Sequence, residues 1–153
     1  MTLAEMKTFI CRKIGRSDNN ALTVAEDFLK NRYQMIWEYF LWKDSKVLVT
    51  QSVPSDTLDL TVNAQVDLVI AVAWDGLLLA NMDQETVMAY DPDLFDQAGS
   101  PGSYITLPKD SSGNCVIRFL TKPQETKNVL ILGKQVFTQF ATTSDSPKLP
   151  GIV

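Results

Sequence analysis

The residues best suited to chemistry are three carboxylates crowded into "YDPDLFDQAG": Asp91, Asp93 and Asp96. Closely spaced carboxylates hold a hard cation such as Ca²⁺, or divide the roles of acid and base when their surroundings separate their pKa values. Here the spacing matches no defined metal loop. Pro92 in their midst favours a turn entering a short helix, where carboxylates cap free amides and oppose the helix dipole. Capping is therefore the expected role, with no metal and no cofactor.

The rest of the chemical inventory is thinner. The 153 residues include no histidine, which removes the commonest general base, the Ser–His and Cys–His nucleophile pairs, and His-ligated metals. "LILGKQ" holds a Gly-Lys pair, Gly133 and Lys134, but lacks the upstream glycine and following Ser/Thr of a phosphate loop. Cys11 and Cys115 lie far apart and form no zinc-type spacing, so free thiols in a reducing compartment are expected. Trp74-Asp75-Gly76 allows either a sugar-stacking ring at a hairpin tip or, more commonly, the last residue of a buried strand. No catalytic residue emerges, and an enzyme is not expected.

These groups must be positioned by ordinary globular architecture. The hydrophobic fraction is 45% and the charged fraction 21%, enough to bury a core without staples. No secretory signal is visible, and the longest apolar run, "LVIAVAW", stops at Asp75, far short of a bilayer span. A soluble protein with no membrane association is expected. Charge is uneven: residues 1–46 carry eight Lys/Arg against six Asp/Glu, while residues 47–153 carry six against twelve. A basic helical end on an acidic body suits assembly against charged neighbours, although compositional drift gives the same numbers.

"TLAE" at 2–5 is a capping box, followed by Leu3, Met6, Ile10 and Ile14 at helical spacing and by Gly15 as a stop. "TVAE" at 23–26 repeats the signal, with Thr23 as the expected cap of a second helix reaching residue 42. Its end, "YQMIWEYFLW", places five aromatic side chains in ten positions. A membrane anchor would oppose such rings with Lys/Arg, and a cofactor box would add convergent polar groups; the segment offers neither. It reads as a packing helix whose traced face is Phe28, Met35, Ile36, Tyr39 and Phe40, broadened by Tyr33, Trp37 and Leu41. Trp37, Phe40 and Trp42 are the structural anchors.

After Lys46 the period changes to two in "KVLVTQSV" and "TLDLTV". "VDLVIAVAWDG" is apolar on both faces and ends on a hairpin signal before "LLLAN". "YITLP", "NCVIRFL" and "NVLILGK" supply further strands, while 84–95 suits a short helix. The expected fold is α+β: a helical hairpin (1–45) packed with a mostly antiparallel sheet or sandwich of six or seven strands (46–137), then an extended C-terminal tail (138–153).

The order of these features resembles a known family. "AEMKTFICRKIGRSDNN" is a short helix ending near "KIG", and "FLKNRYQMIWEYFLW" follows with Trp37 in an Ile-Trp pair and Trp42 at its end. Then come a strand pair, "VDLVIAVAWDGLLLANMD", "DPDLF", a Gly-Pro loop leading to Tyr104, "VIRFLTKP" and "NVLILGK". Over roughly residues 3–134 this resembles a tailed-bacteriophage neck protein of the head-to-tail adaptor (connector) type. The loop here, "GSPGSY", carries a second glycine between proline and tyrosine.

The resemblance implies a virion structural protein assembled in the host cytoplasm. It would form a ring, usually dodecameric, beneath the portal protein, extending the DNA channel and docking tail or nozzle proteins. An acidic body would let genomic DNA slide past without specific binding. The tail residues Pro147, Lys148, Leu149, Pro150, Ile152 and Val153 are the expected portal-binding segment. Two alternatives stand beside it: a tail-completion or stopper protein of the same neck, and a ligand-binding β-sandwich module using Trp74 and the "DPDLFDQAGSPG" loops.

Overall fold

Physical accounting for backbone polar groups explains the first element. In the computed structural model, which describes residues 1–39, 41, 43–90 and 97–147, helix α1 spans Leu3–Lys13. Its capping box forms as expected: Thr2 Oγ1 accepts from the Glu5 amide at 3.3 Å, and Glu5 Oε2 accepts from the Thr2 amide at 2.8 Å. The remaining orphan amides, Leu3 and Ala4, donate to the carbonyls of Asp145 and Thr143 at 2.8 and 3.0 Å. Every free donor of the first turn thus has a partner.

Helix α2 spans Asn19–Tyr39, and its start corrects the sequence expectation. Asp18 rather than Thr23 is the cap, accepting from the Ala21 amide at 3.0 Å, while the Asp18 carbonyl opens the ladder to Leu22. Thr23 lies inside the helix with its hydroxyl turned back to the Asn19 carbonyl. An Asp at the end of a polar turn outcompetes a Thr that the helix has already passed. Glu26, expected to complete a second capping box, instead binds Lys7 of α1 at 2.6 Å and Lys30 at 2.8 Å.

The chain forms two compact units: Met1–Ser45 together with the chain from Phe137 onward, and Lys46–Val136. The segment expected as a free tail therefore divides. Residues 138–147 belong with the helices, whereas 148–153 lie outside the described residues. In the helical unit, Phe137 and Phe140 close over Leu3, Tyr33 and Trp37 in one apolar cluster. Tyr33 stacks on Phe140 at 4.8 Å and meets Trp37 edge-on at 6.2 Å. Asp145 fastens the returning chain by accepting from the amides of Ala141 and Thr142 and from the Thr142 hydroxyl.

The second unit is mostly antiparallel. Its strands are β1 (Lys46–Val53), β2 (Asp59–Thr61), β3 (Val66–Trp74), β4 (Leu77–Leu78), β5 (Ala80–Asn81), β6 (Ala98–Gly99), β7 (Ser103–Leu107), β8 (Val116–Phe119), β9 (Lys122–Pro123) and β10 (Lys127–Gln135). The order is β1-β10-β3-β4 in one sheet, β2-β8-β7-β5 in another, and β6-β9 in a small third. Among the described residues only β5–β7 and β6–β9 pair in parallel. A short helix α3, Gln84–Tyr90, interrupts the strands.

Inward residues of the two larger sheets share one core that includes Val53, Val72, Trp74, Tyr104, Ile117, Phe119, Val129 and Ile131. The β3–β4 hairpin turns on Asp75 and Gly76, both at positive φ (50° and 79°), as its Asp-Gly signal predicts. Gly133 has a different reason to be glycine. A Cβ there would collide with Val66 Cγ1 and stand 2.9 Å from the Leu68 carbonyl oxygen, so β10 and β3 approach too closely for any side chain.

Candidate functional site

The residues singled out for chemistry divide between core, cap and surface. Asp91, Asp93 and Asp96 lie outside the described residues, as do Phe40, Trp42, Lys148, Leu149, Pro150, Ile152 and Val153. Among the described residues no group of three His, Cys, Asp or Glu side chains is placed to hold a metal. Pro147 is half-buried. Trp37 is only 3% exposed and packs within the aromatic cluster of the helical unit.

Cys11 and Cys115 are both free and buried. Burial pushes the Cys115 thiol pKa up, and its Sγ donates to the Asp67 carbonyl at 3.1 Å, a setting that disfavours a reactive thiolate. Trp74 is core: it meets the Phe119 ring edge-on at 5.7 Å and presents no stacking surface at the hairpin tip. Tyr104 is also core, and burial raises its phenol pKa. Lys134 of the Gly-Lys pair is a buried strand residue opposite Lys46.

The described carboxylates with lowered pKa values are each accounted for by structural bonding. Glu26 is lowered to about 2 by hydrogen bonds from Lys30 and Lys7. Asp18 is lowered first by the Ala21 amide, Asp110 by the Asn114 amide and Asp145 by the Thr142 amide. These three aspartates are turn or cap acceptors. Asp59 grips Arg118 through two bonds of 2.5 and 2.6 Å between paired positions of β2 and β8.

Two concave surfaces stand out. A broad open groove of about 810 Å³ lies along Met82–Glu85, with Met88 and Thr106. Its Asp83 is committed to capping α3, accepting from the Thr86 amide at 3.2 Å, and no nucleophile–base pair lines it. A smaller apolar groove of about 340 Å³ lies between α1 and α2, lined by Ile10, Ile14, Ala21, Val24, Ala25 and Phe28.

That second groove opens onto the least expected feature of the unit. The face of α2 traced from sequence through Phe28, Met35 and Tyr39 is mostly on the outside: these residues are 57%, 44% and 79% exposed, with Val24 at 61%. The buried face is the one carried by Ala21, Ala25, Tyr33 and Trp37. The sequence expectation is corrected here: Tyr33 and Trp37, read as broadening the stripe, form its buried side, while Leu41 is exposed. A helix apolar on two sides offers no periodicity by which to choose between them. The second side carries 24, 28, 35 and 39 at helical spacing, with exposed Asn31 and Arg32 between the two apolar pairs.

No described helix is long and apolar enough to cross a membrane. No family model matches the chain, and no curated protein matches it.

Proposed function

We propose that this protein is a structural component of a bacteriophage virion, a head-to-tail adaptor that forms a ring beneath the portal protein, extends the DNA channel and docks tail proteins. The observation that carries the reading is the bare second face of α2, Val24–Phe28–Met35–Tyr39. An apolar stripe of this length on a small protein marks an interaction surface. A ring subunit needs such a surface toward its neighbours. The order of elements supports the same reading: a helical pair, then a mostly antiparallel body, as the family resemblance implies. The acidic balance of residues 47–153 suits a channel wall past which DNA phosphates slide.

In this proposal Pro147, Lys148, Leu149, Pro150, Ile152 and Val153 engage the portal. Pro147 and Pro150 restrict the backbone and lower the ordering cost, and Leu149, Ile152 and Val153 supply apolar anchors. Ring symmetry repeats each contact and multiplies a modest affinity. Co-sedimentation with portal-containing, tailless capsids tests the reading. Saturable binding of one ring per capsid, lost when residues 148–153 are removed from an otherwise folded protein, is the expected result. No binding by the full chain would refute the adaptor role; undiminished binding by the truncated chain would refute the assigned docking segment.

A further inference from the structure

A second apolar surface lies bare on the other unit, and it differs from the first. Outward positions of the sheet β1-β10-β3-β4 line up in two adjacent rows: Leu48–Leu132–Ala71, and Thr50–Leu130–Ala73–Leu78. Leu48 is 60% exposed, Leu130 41% and Leu78 74%, with Leu68 at 48% on the same sheet. Strands apolar on both faces belong to sheets covered on both faces. β3 and β10 have that composition, yet the structure buries only their inward side, in the sandwich core.

We propose that the two surfaces pair between copies of this chain, the α2 stripe of one lying across the sheet face of the next. A helix stripe on a sheet face is a standard way to complete a layered core. Their edges are complementary in charge. Asp27 and Glu38 flank the stripe on one side of α2, with Arg32 on the other beside Met35. The acidic side is the one that exposed Lys46 would meet, since it stands two residues from Leu48 and so on its face of β1. The exposed apolar side chains would form the centre of the contact, and the polar residues around them the rim that completes an interface of standard size, ~1,600 Å². Because the surfaces are unlike, each copy keeps one free of its first partner. The contact therefore repeats head to tail until rotation closes it. Only that closure rests on the ring reading above; the pairwise contact stands on the two surfaces.

The test uses two full-length variants, Phe28→Glu/Met35→Glu and Leu48→Glu/Leu130→Glu, with wild-type melting as the criterion of folding. Should either melt early, Val24→Lys or Leu78→Lys replaces it. In sedimentation velocity each variant alone is expected to be monomeric. Their equimolar mixture is expected to give a one-to-one heterodimer and nothing larger, because only one intact stripe meets one intact face. A stripe-on-stripe or sheet-on-sheet dimer would leave one variant assembling alone and would overturn the pairing, as would a mixture without heterodimer. A ring formed by wild type but no heterodimer would refute this pairing while leaving the adaptor reading intact. A heterodimer from a chain that binds no portal-containing capsid would uphold the pairing and remove the adaptor role.

Discussion

Replacing Gly133 by alanine tests a close approach of two strands inside the sandwich. In an ordinary strand the change would help, since glycine costs about 0.5–1 kcal/mol relative to alanine in strand interiors. Here β10 is held between β1 and β3, with Gly133 opposite Val47 and Val69. The new methyl would overlap Val66 Cγ1, stand 3.3 Å from Val66 Cβ, and stand 2.9 Å from the Leu68 carbonyl oxygen. Val66 is 1% exposed, so it cannot swing outward, and the carbonyl belongs to the paired strand. Overpacking of this kind costs about 1–3 kcal/mol.

Overpacking of about 2 kcal/mol less the glycine cost recovered leaves a net loss of about 1 kcal/mol, equivalent to a melting-temperature drop of about 5 °C for a unit of this size, Lys46–Val136. Urea and thermal unfolding read it directly. A double-mutant cycle locates the cause: Val66→Ala removes Cγ1, so the pair should cost about 1 kcal/mol less than the sum of the single changes. A neutral or stabilising Gly133→Ala, or strict additivity with Val66→Ala, would refute the close-approach argument.

Other outcomes follow from the helical unit and the carboxylates. Trp37→Ala should destabilise by about 3–5 kcal/mol, and a well-folded variant that loses only binding would show that the aromatic cluster is a recognition box. Asp145→Ala should lower the melting temperature and speed hydrogen exchange at the Leu3 and Ala4 amides, since the turn that presents their acceptor carbonyls loses its own tie; unchanged exchange there would contradict the capping role of the returning chain. Glu26 has its folded pKa depressed to about 2 from 4.5, so its contribution is full above the ordinary value and fades as pH falls toward 2. Glu26→Gln should cost about 1 kcal/mol at neutral pH, and its difference from wild type should shrink across that window; a pH-independent difference would show that the ion pairs are not its source. Calorimetry with Ca²⁺ and Mg²⁺ should reveal no tight site at Asp91, Asp93 and Asp96, and a chelator should leave melting unchanged, whereas a drop of many degrees would overturn the capping interpretation.

The sequence was most legible where a local rule acts alone. The Thr2/Glu5 capping box, the Asp75-Gly76 hairpin and the long apolar strands β1, β3 and β10 each carry their signal within a few residues. Local rules misled where two signals competed. Asp18 and Thr23 both resemble caps, and only tertiary contact decides that Glu26 faces Lys7 rather than its own helix end. The two-residue strands β5, β6 and β9 carry no period at all and arise from parallel pairing with distant segments.

The returning chain was missed for a similar reason. Phe137 and Phe140 sit in an aperiodic, proline-containing stretch, yet two rings three residues apart followed by Asp145 were the available hint of packing. The bare face of α2 was visible in sequence as excess aromatic and aliphatic residues. Which of its two faces would be buried was not, because that choice is made by α1 and the returning segment. The corresponding sheet face was legible only as a strand apolar on both faces, "VDLVIAVAWDG"; which of those faces is bare is set by the pairing of the two sheets.

We propose a ring-forming neck component, and the mass of the protein in solution tests that proposal most directly. Native mass spectrometry of the purified protein, alone and with portal rings, should show a closed oligomer of one defined stoichiometry, dodecameric on the portal. A chain that remains monomeric at every concentration and leaves the mass of the portal ring unchanged would contradict it.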